Sequence, residues 1–289
     1  MAKRKQNNES VSDDESSDVS MINVDFDYFN PNPDVDYQAI KRLLGQLFQR
    51  DADAFHLHEL TELILSQPGI GSTIKTDGKE SDPYALLTVL NMHMHKDHPS
   101  IKALTSYILE KSCSNSSFHS YLHGLFSQTE KHVGLVICER LVNMPVETIP
   151  PMYRMLTDEL KAAISQNSAF QFTDLIFISR TYHLTEEDES FLINNATVRT
   201  SSKKRSKKSQ EPPEEKRPAD GIYDFHPEDV HIKALASYCA DYEFNRAPSE
   251  PRDKESFGLD TRARVIIVPV SRFEELVKRM NAAYAVNGS

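Results

Sequence analysis

The stretch Val133-Gly134-Leu135-Val136-Ile137-Cys138, the Pro150-Pro151 pair opening a helical pattern to Ile164, and the alternating segment Phe172–Tyr182 together decide the fold class. The first run is apolar on both faces and too short for a helix, which predicts a short buried strand. Prolines fit a first helical turn, where the backbone N–H has no intrahelical partner. Strand, helix and strand in succession predict a mixed sheet flanked by helices.

The same alternation extends outward. Ile22–Phe29 places Ile22, Val24, Phe26 and Tyr28 on one side of a period-two pattern, with Asp25 and Asp27 opposite. The turn Asn30-Pro31-Asn32-Pro33 stops it. Helices are expected over Tyr37–Gln49, with Asp36 as N-cap, and over His56–Ser66, Pro99–Lys111 and Ser117–Gln128. Gly71–Lys75 and Pro83–His93 read as strands joined by a turn at Asp77-Gly78-Lys79. Thr185-Glu186-Glu187-Asp188 reads as a capping box opening a short helix. Leu235–Phe244 and Val265–Pro269 complete the strands and Ser271–Tyr284 the helices. The expected fold class is α/β (α+β): residues 21–289 form one domain around a mixed sheet, preceded by an acidic, Ser-rich tail over 1–20.

Charge is unevenly spread along the 289 residues, whose formal total is −10. Residues 1–20 carry a net −2 and residues 197–220 a net +4; removing both leaves −12 on the body. An acidic body repels phosphates and attracts basic proteins, so no direct nucleic-acid binding is expected. Segments 1–20 and 197–220 are too polar to offset their ordering entropy by burial, and a disordered tail and a disordered basic insertion are expected. Within the insertion, Lys203, Lys204, Arg205, Lys207 and Lys208 resemble a nuclear import signal, which implies an import receptor and entry into the nucleus. Cys113, Cys138 and Cys239 are widely spaced without CxxC, which argues for reduced thiols inside the cell. No apolar run approaches the roughly 20 residues that span a bilayer, so no membrane insertion is expected.

Catalytic signals are weak. His93, His95 and His98 lie within six residues, and on a strand His93 and His95 share a face. No HExxH accompanies them, and a polar strand end is the simpler reading. Walker A, GxGxxG and GxSxG patterns are all missing, and nine glycines in the chain leave little for cradling phosphates. No catalytic residue, cofactor or metal is assigned.

Three longer stretches carry a resemblance. They are Val24-Asp25-Phe26-Asp27-Tyr28-Phe29, the run Lys75–Ala85, and Gly134–Pro145 leading into Pro150-Pro151-Met152-Tyr153. Together they resemble the BCCIP/Bcp family of eukaryotic nuclear proteins over about residues 21–289. The resemblance implies a fold similar to the GCN-related N-acetyltransferases without a working acetyl-CoA site. It also implies a chaperone of a basic large-subunit ribosomal protein, and a factor in nuclear export of a phosphatidylinositol phosphate kinase, shuttling between nucleus and cytoplasm. A residual acyl-CoA-dependent acetyltransferase and a multi-partner nuclear scaffold are the alternatives.

The acetyltransferase loop can be checked against the residues. That superfamily holds the cofactor pyrophosphate on a glycine-containing loop between its fourth strand and the following helix. Whether Tyr84–Met92 or Val133–Cys138 is that strand, neither His93–Pro99 nor Glu139–Met144 has the pattern. A client surface is expected instead from clustered acids: Asp25, Asp27, Asp34 and Asp36 near the first strand, and Glu186, Glu187, Asp188 and Glu189.

Overall fold

The computed structural model describes residues 24–67, 69–166, 170–190, 217–246 and 259–284. In chain order these form β1 (Asp27–Phe29), α1 (Tyr37–Phe48), α2 (Leu57–Leu65), β2 (Ser72–Lys75), β3 (Ala85–Asn91), α3 (Pro99–Ser112), α4 (Ser116–Ser127), β4 (His132–Arg140), α5 (Ile149–Ser165) and β5 (Phe172–His183). A helical segment over 186–190, α6, follows. Then come β6 (Ile222–Asp224), α7 (Asp229–Ala234), β7 (Tyr238–Tyr242), β8 (Asp260–Pro269) and α8 (Phe273–Tyr284). The expected tail 1–20 and the import-signal residues Lys203–Lys208 lie outside the described residues.

One sheet runs β1-β2-β3-β4-β5-β8-β7, mixed and mostly antiparallel, with β4 and β5 parallel across the α5 crossover. Its side chains alternate between two cores, as strand geometry dictates. Leu86, Leu90, Leu135, Ile137, Ile176 and Ile178 pack against α1 to α4. Leu87, Val89, Val136, Leu175, Phe177 and Ile266 pack against α5, α7 and α8. Because helices cover both faces, the central strands read as continuous apolar runs. Gly134 interrupts β4 for a steric reason: a Cβ there would sit 2.8 Å from Leu175 and from Val89.

The first strand is shorter than the pattern suggests. Its partner β2 ends at Lys75, where the chain turns through Gly78 at φ +81°, so residues 24–26 have no ladder to join and Val24 is exposed. β3 ends at Asn91, which places His93 and His95 in a turn rather than on one face of a strand. The capping box forms as read: Thr185 Oγ1 accepts from the Asp188 N–H, and the Thr185 N–H donates to the Asp188 carboxylate.

The parallel pair diverges. β4 and β5 are in register only as far as Val136 and Phe177, although β4 continues to Arg140 and β5 to His183. β6 takes the vacated edge, pairing Asp224, Tyr223 and Ile222 with Thr181, Tyr182 and His183. The following residue extends that ladder, Phe225 N–H donating to Arg180 O. Sequence reading assigned neither β6 nor α7, and it expected a strand from Leu235 where pairing begins at Tyr238.

Candidate functional site

In open α/β sheets, ligands settle beyond the carboxyl ends of parallel strands, where neighbours part. Here that place is the gap between β4 and β5, and the chain's own side chains fill it. Glu139 at the end of β4 accepts from Arg180 Nε and Nη2 at 2.8 and 2.9 Å, with His226 at 3.1 Å and Gln46 at 2.9 Å. Arg140 forms a two-pronged pair with Glu228. Ser179 donates to Asp229, and the Arg180 guanidinium lies 3.7 Å from the centre of the Phe225 ring. Apart from the half-buried Gln46 and Phe225, these groups are almost wholly buried.

Burial alone would raise the Glu139 carboxyl, but His226 and Arg180 outweigh it and hold the pKa below its ordinary value. At Asp229 burial, then the neighbouring Glu228, push the pKa up to about 7, with the same His226 and the Ser179 hydroxyl pulling the other way without prevailing. The space left among Cys138, Tyr153, Ser179, His226 and Asp229 is about 10 Å³. That is at the lower limit for one water.

Set beside the expected acetyltransferase-like fold, the parallel crossover makes β4 the counterpart of the fourth strand, and α5 the helix whose N-terminus would face a pyrophosphate. Such a site needs free backbone N–H groups. At the start of α5, Ile149 N–H donates to Val146 O, and Pro150 and Pro151 have none to give. The residues present do not fit an acyl-CoA pyrophosphate at this helix.

The acids expected to form a client surface separate on inspection. Asp25, Asp27 and Asp34 are exposed. Asp36 does occupy the position before α1, but its side chain makes no cap hydrogen bond and is wholly buried. One oxygen takes Lys75 Nζ at 2.6 Å and the other the Asn32 N–H at 2.8 Å, because Lys75, also fully buried, requires a counter-charge. Asp36 therefore does not belong to a surface. Glu186 and Glu187 are exposed; Asp188 is spent on the cap, and Glu189 accepts from Tyr223 Oη at 2.7 Å and pairs with Arg217 at 3.2 Å.

Strand directions place both groups at the end of the sheet where β4 and β5 diverge, four strands apart, roughly 20 Å at ordinary spacing. Between them lies a set that sequence clustering alone missed. The β2–β3 turn brings Asp77, Glu80 and Asp82, all exposed, beside β1. Continuing the β1–β2 register sets Asp25 opposite Asp77. Segments 24–29 and 76–83 thus present five exposed carboxylates and a single cation, Lys79, while Arg42 reaches Asp82 from α1 at 2.7 Å. The ladder itself stops at Asp27 and Lys75, and like charges gathered just beyond its end repel. Beside this acidic corner a groove of about 410 Å³ runs between Arg42, Leu43, Gln46, Tyr84 and Leu141, and the adjacent Val142 is 71% exposed. The hairpin turn, readable from Asp77-Gly78-Lys79, was the available signal for this corner.

Comparison with known proteins identifies the family and supports the fold. The BCCIP family profile matches residues 21–232. The chain is 40% identical to Protein bcp1 of Emericella nidulans, with 93% of this chain and 90% of that one covered. It is 38% identical to Protein bcp1 of Schizosaccharomyces pombe, covering 93% and 92%. The crystal structure of BCP1 from Saccharomyces cerevisiae has the same fold, with TM-score 0.61 over 94% of this chain and 93% of that one at 23% identity. With the profile spanning most of the chain and relatives aligned along nearly all of it, this protein belongs to the BCCIP family.

Proposed function

We propose that the chain is a non-enzymatic escort of a basic protein, a ribosomal protein of the large subunit, carried between cytoplasm and nucleus. The observation that supports this most is the acidic corner, where Asp25, Asp27, Asp77, Glu80 and Asp82 face solvent beside an apolar groove. An unassembled ribosomal protein exposes a cationic, RNA-seeking face. Carboxylates steer and shield such a face, while an apolar groove adds shape-specific contact. The filled gap between β4 and β5 and the proline-blocked start of α5 argue against acyl transfer, so the fold serves as a scaffold. The basic run Lys203–Lys208 supports import. Export of a phosphatidylinositol phosphate kinase is the second cargo implied by family membership, and a bound kinase would use the same route.

The test is purification of the tagged protein from its own cells at moderately high salt, with quantitation of what stays bound. One basic ribosomal protein near one-to-one is expected. Many substoichiometric partners would replace the escort with a scaffold, and an acetyl-CoA-dependent rise in melting temperature would restore the transferase reading.

A further inference from the structure

At the opposite end of the sheet, where β4 begins, a groove of about 480 Å³ lies between the turn after β3, the first half of α3 and the end of α4. Its chemistry is unlike the rest of this acidic body. The lining includes Lys96, Lys102, His93 and His132, with hydroxyls from Thr105, Ser106 and Thr129, and it contains no carboxylate. Outside the lining, Asp97, 83% exposed, lies 3.4 Å from Lys102 Nζ, a geometry in which an ion pair contributes little.

The two histidines stack with ring centres 5.5 Å apart and planes 8° from parallel, and the hydrogen bonds fix their protons. Val133 N–H donates to His93 Nδ1, so His93 carries its proton on Nε2 and donates it to Leu125 O. Burial favours this neutral form. His93 is thereby consumed inside the fold. Asn91 Oδ1 accepts the N–H groups of His93 and Met94, which turns the Asn91 amide nitrogen toward His132 Nδ1 at 2.9 Å. An amide nitrogen only donates, so His132 Nδ1 is the acceptor and Nε2 bears the hydrogen. His132 Nε2 has no hydrogen-bond partner among the described residues, and the ring lines the groove.

The groove therefore offers a held N–H, two ammonium groups and, with Ser127, four hydroxyls. Its volume is that of a small-molecule pocket. We propose that it binds the phosphate group of a small phosphorylated anion, with His132 Nε2–H as the fixed donor and Lys96 and Lys102 supplying charge at the rim. Acceptor-only, multiply charged oxygens are the ligand chemistry that matches such a lining.

The full chain is titrated with inorganic tripolyphosphate while the histidine side-chain nitrogens are followed by NMR. Saturable movement of the His132 resonances with Kd below about 1 mM is expected. The exposed pair Lys96→Glu/Lys102→Glu should weaken it roughly tenfold or more with the melting temperature unchanged. Unmoved His132 resonances would overturn the proposal, and so would equal binding by the double variant, which would place the polyanion on Lys203–Lys208. An acidic phosphoserine peptide that moves His132 where tripolyphosphate does not would overturn the small-anion assignment.

Discussion

The two ends of the β4–β5 pair are made from the same strands and treat charge oppositely. At the diverging end, Glu139, Arg140, Arg180, Glu228 and Asp229 are buried against one another, and the acids left outside gather on neighbouring turns. At the other end the cations Lys96 and Lys102 stay exposed around an open groove, and one half-buried hydrogen-bond relay, Asn91 to His132, positions a single donor. Where a sheet of this kind would hold a ligand, this chain has packed its own segment. The openings that remain are at the surface. The difference teaches that the topology of the sheet points to one place and the free chemistry to others.

The comparison can be broken most forcefully at the filled end. Glu228→Ala strands the buried Arg140 and should cost about 3–5 kcal/mol in chemical denaturation. Lys96→Glu, at the open end, should stay within about 0.5 kcal/mol. Similar losses for both would mean that the network is not specially buried. A smaller effect lies in pH. The folded pKa of Asp229, about 7, is above its unfolded value of 3.8, so the native state binds the extra proton between those values. Stability from this group is therefore present below the unfolded pKa and lost as pH rises through about 7. Asp229→Asn, which keeps a partner for Ser179, should gain on the parent as pH rises from about 4 to 7. Parallel stability curves for the two proteins would remove Asp229 from the account.

Much of the fold was legible because its strands are apolar on both faces and its helices carry clear boundary residues. Val133–Cys138, Phe172–Tyr182 and the Pro150-Pro151 start all stand where the pattern put them. What escaped has one physical character. The ends of β4 and β8, at Glu139, Arg140, Arg262 and Arg264, look like loop composition, and they become strand because side chains of opposite charge, distant in sequence, neutralise them. β6 and α7 hold their places through the same partners rather than through periodicity. Asp36 illustrates the converse error: clustering with Asp34 suggested a surface, but a buried Lys75 from another strand claims its carboxylate. Asp77, Glu80 and Asp82 were readable as a turn, and only the register of β1 on β2 makes them neighbours of Asp25 and Asp27.

The central claim is that this acidic corner receives a basic protein. Asp25→Lys, Asp77→Lys and Asp82→Lys should together change stability little, since they lie on exposed positions of like charge. The decisive measurement is the affinity of the triple variant for a purified basic large-subunit ribosomal protein across a salt series. A roughly tenfold loss at low salt with a flattened salt dependence is the predicted result. Parental affinity and parental slope would contradict it.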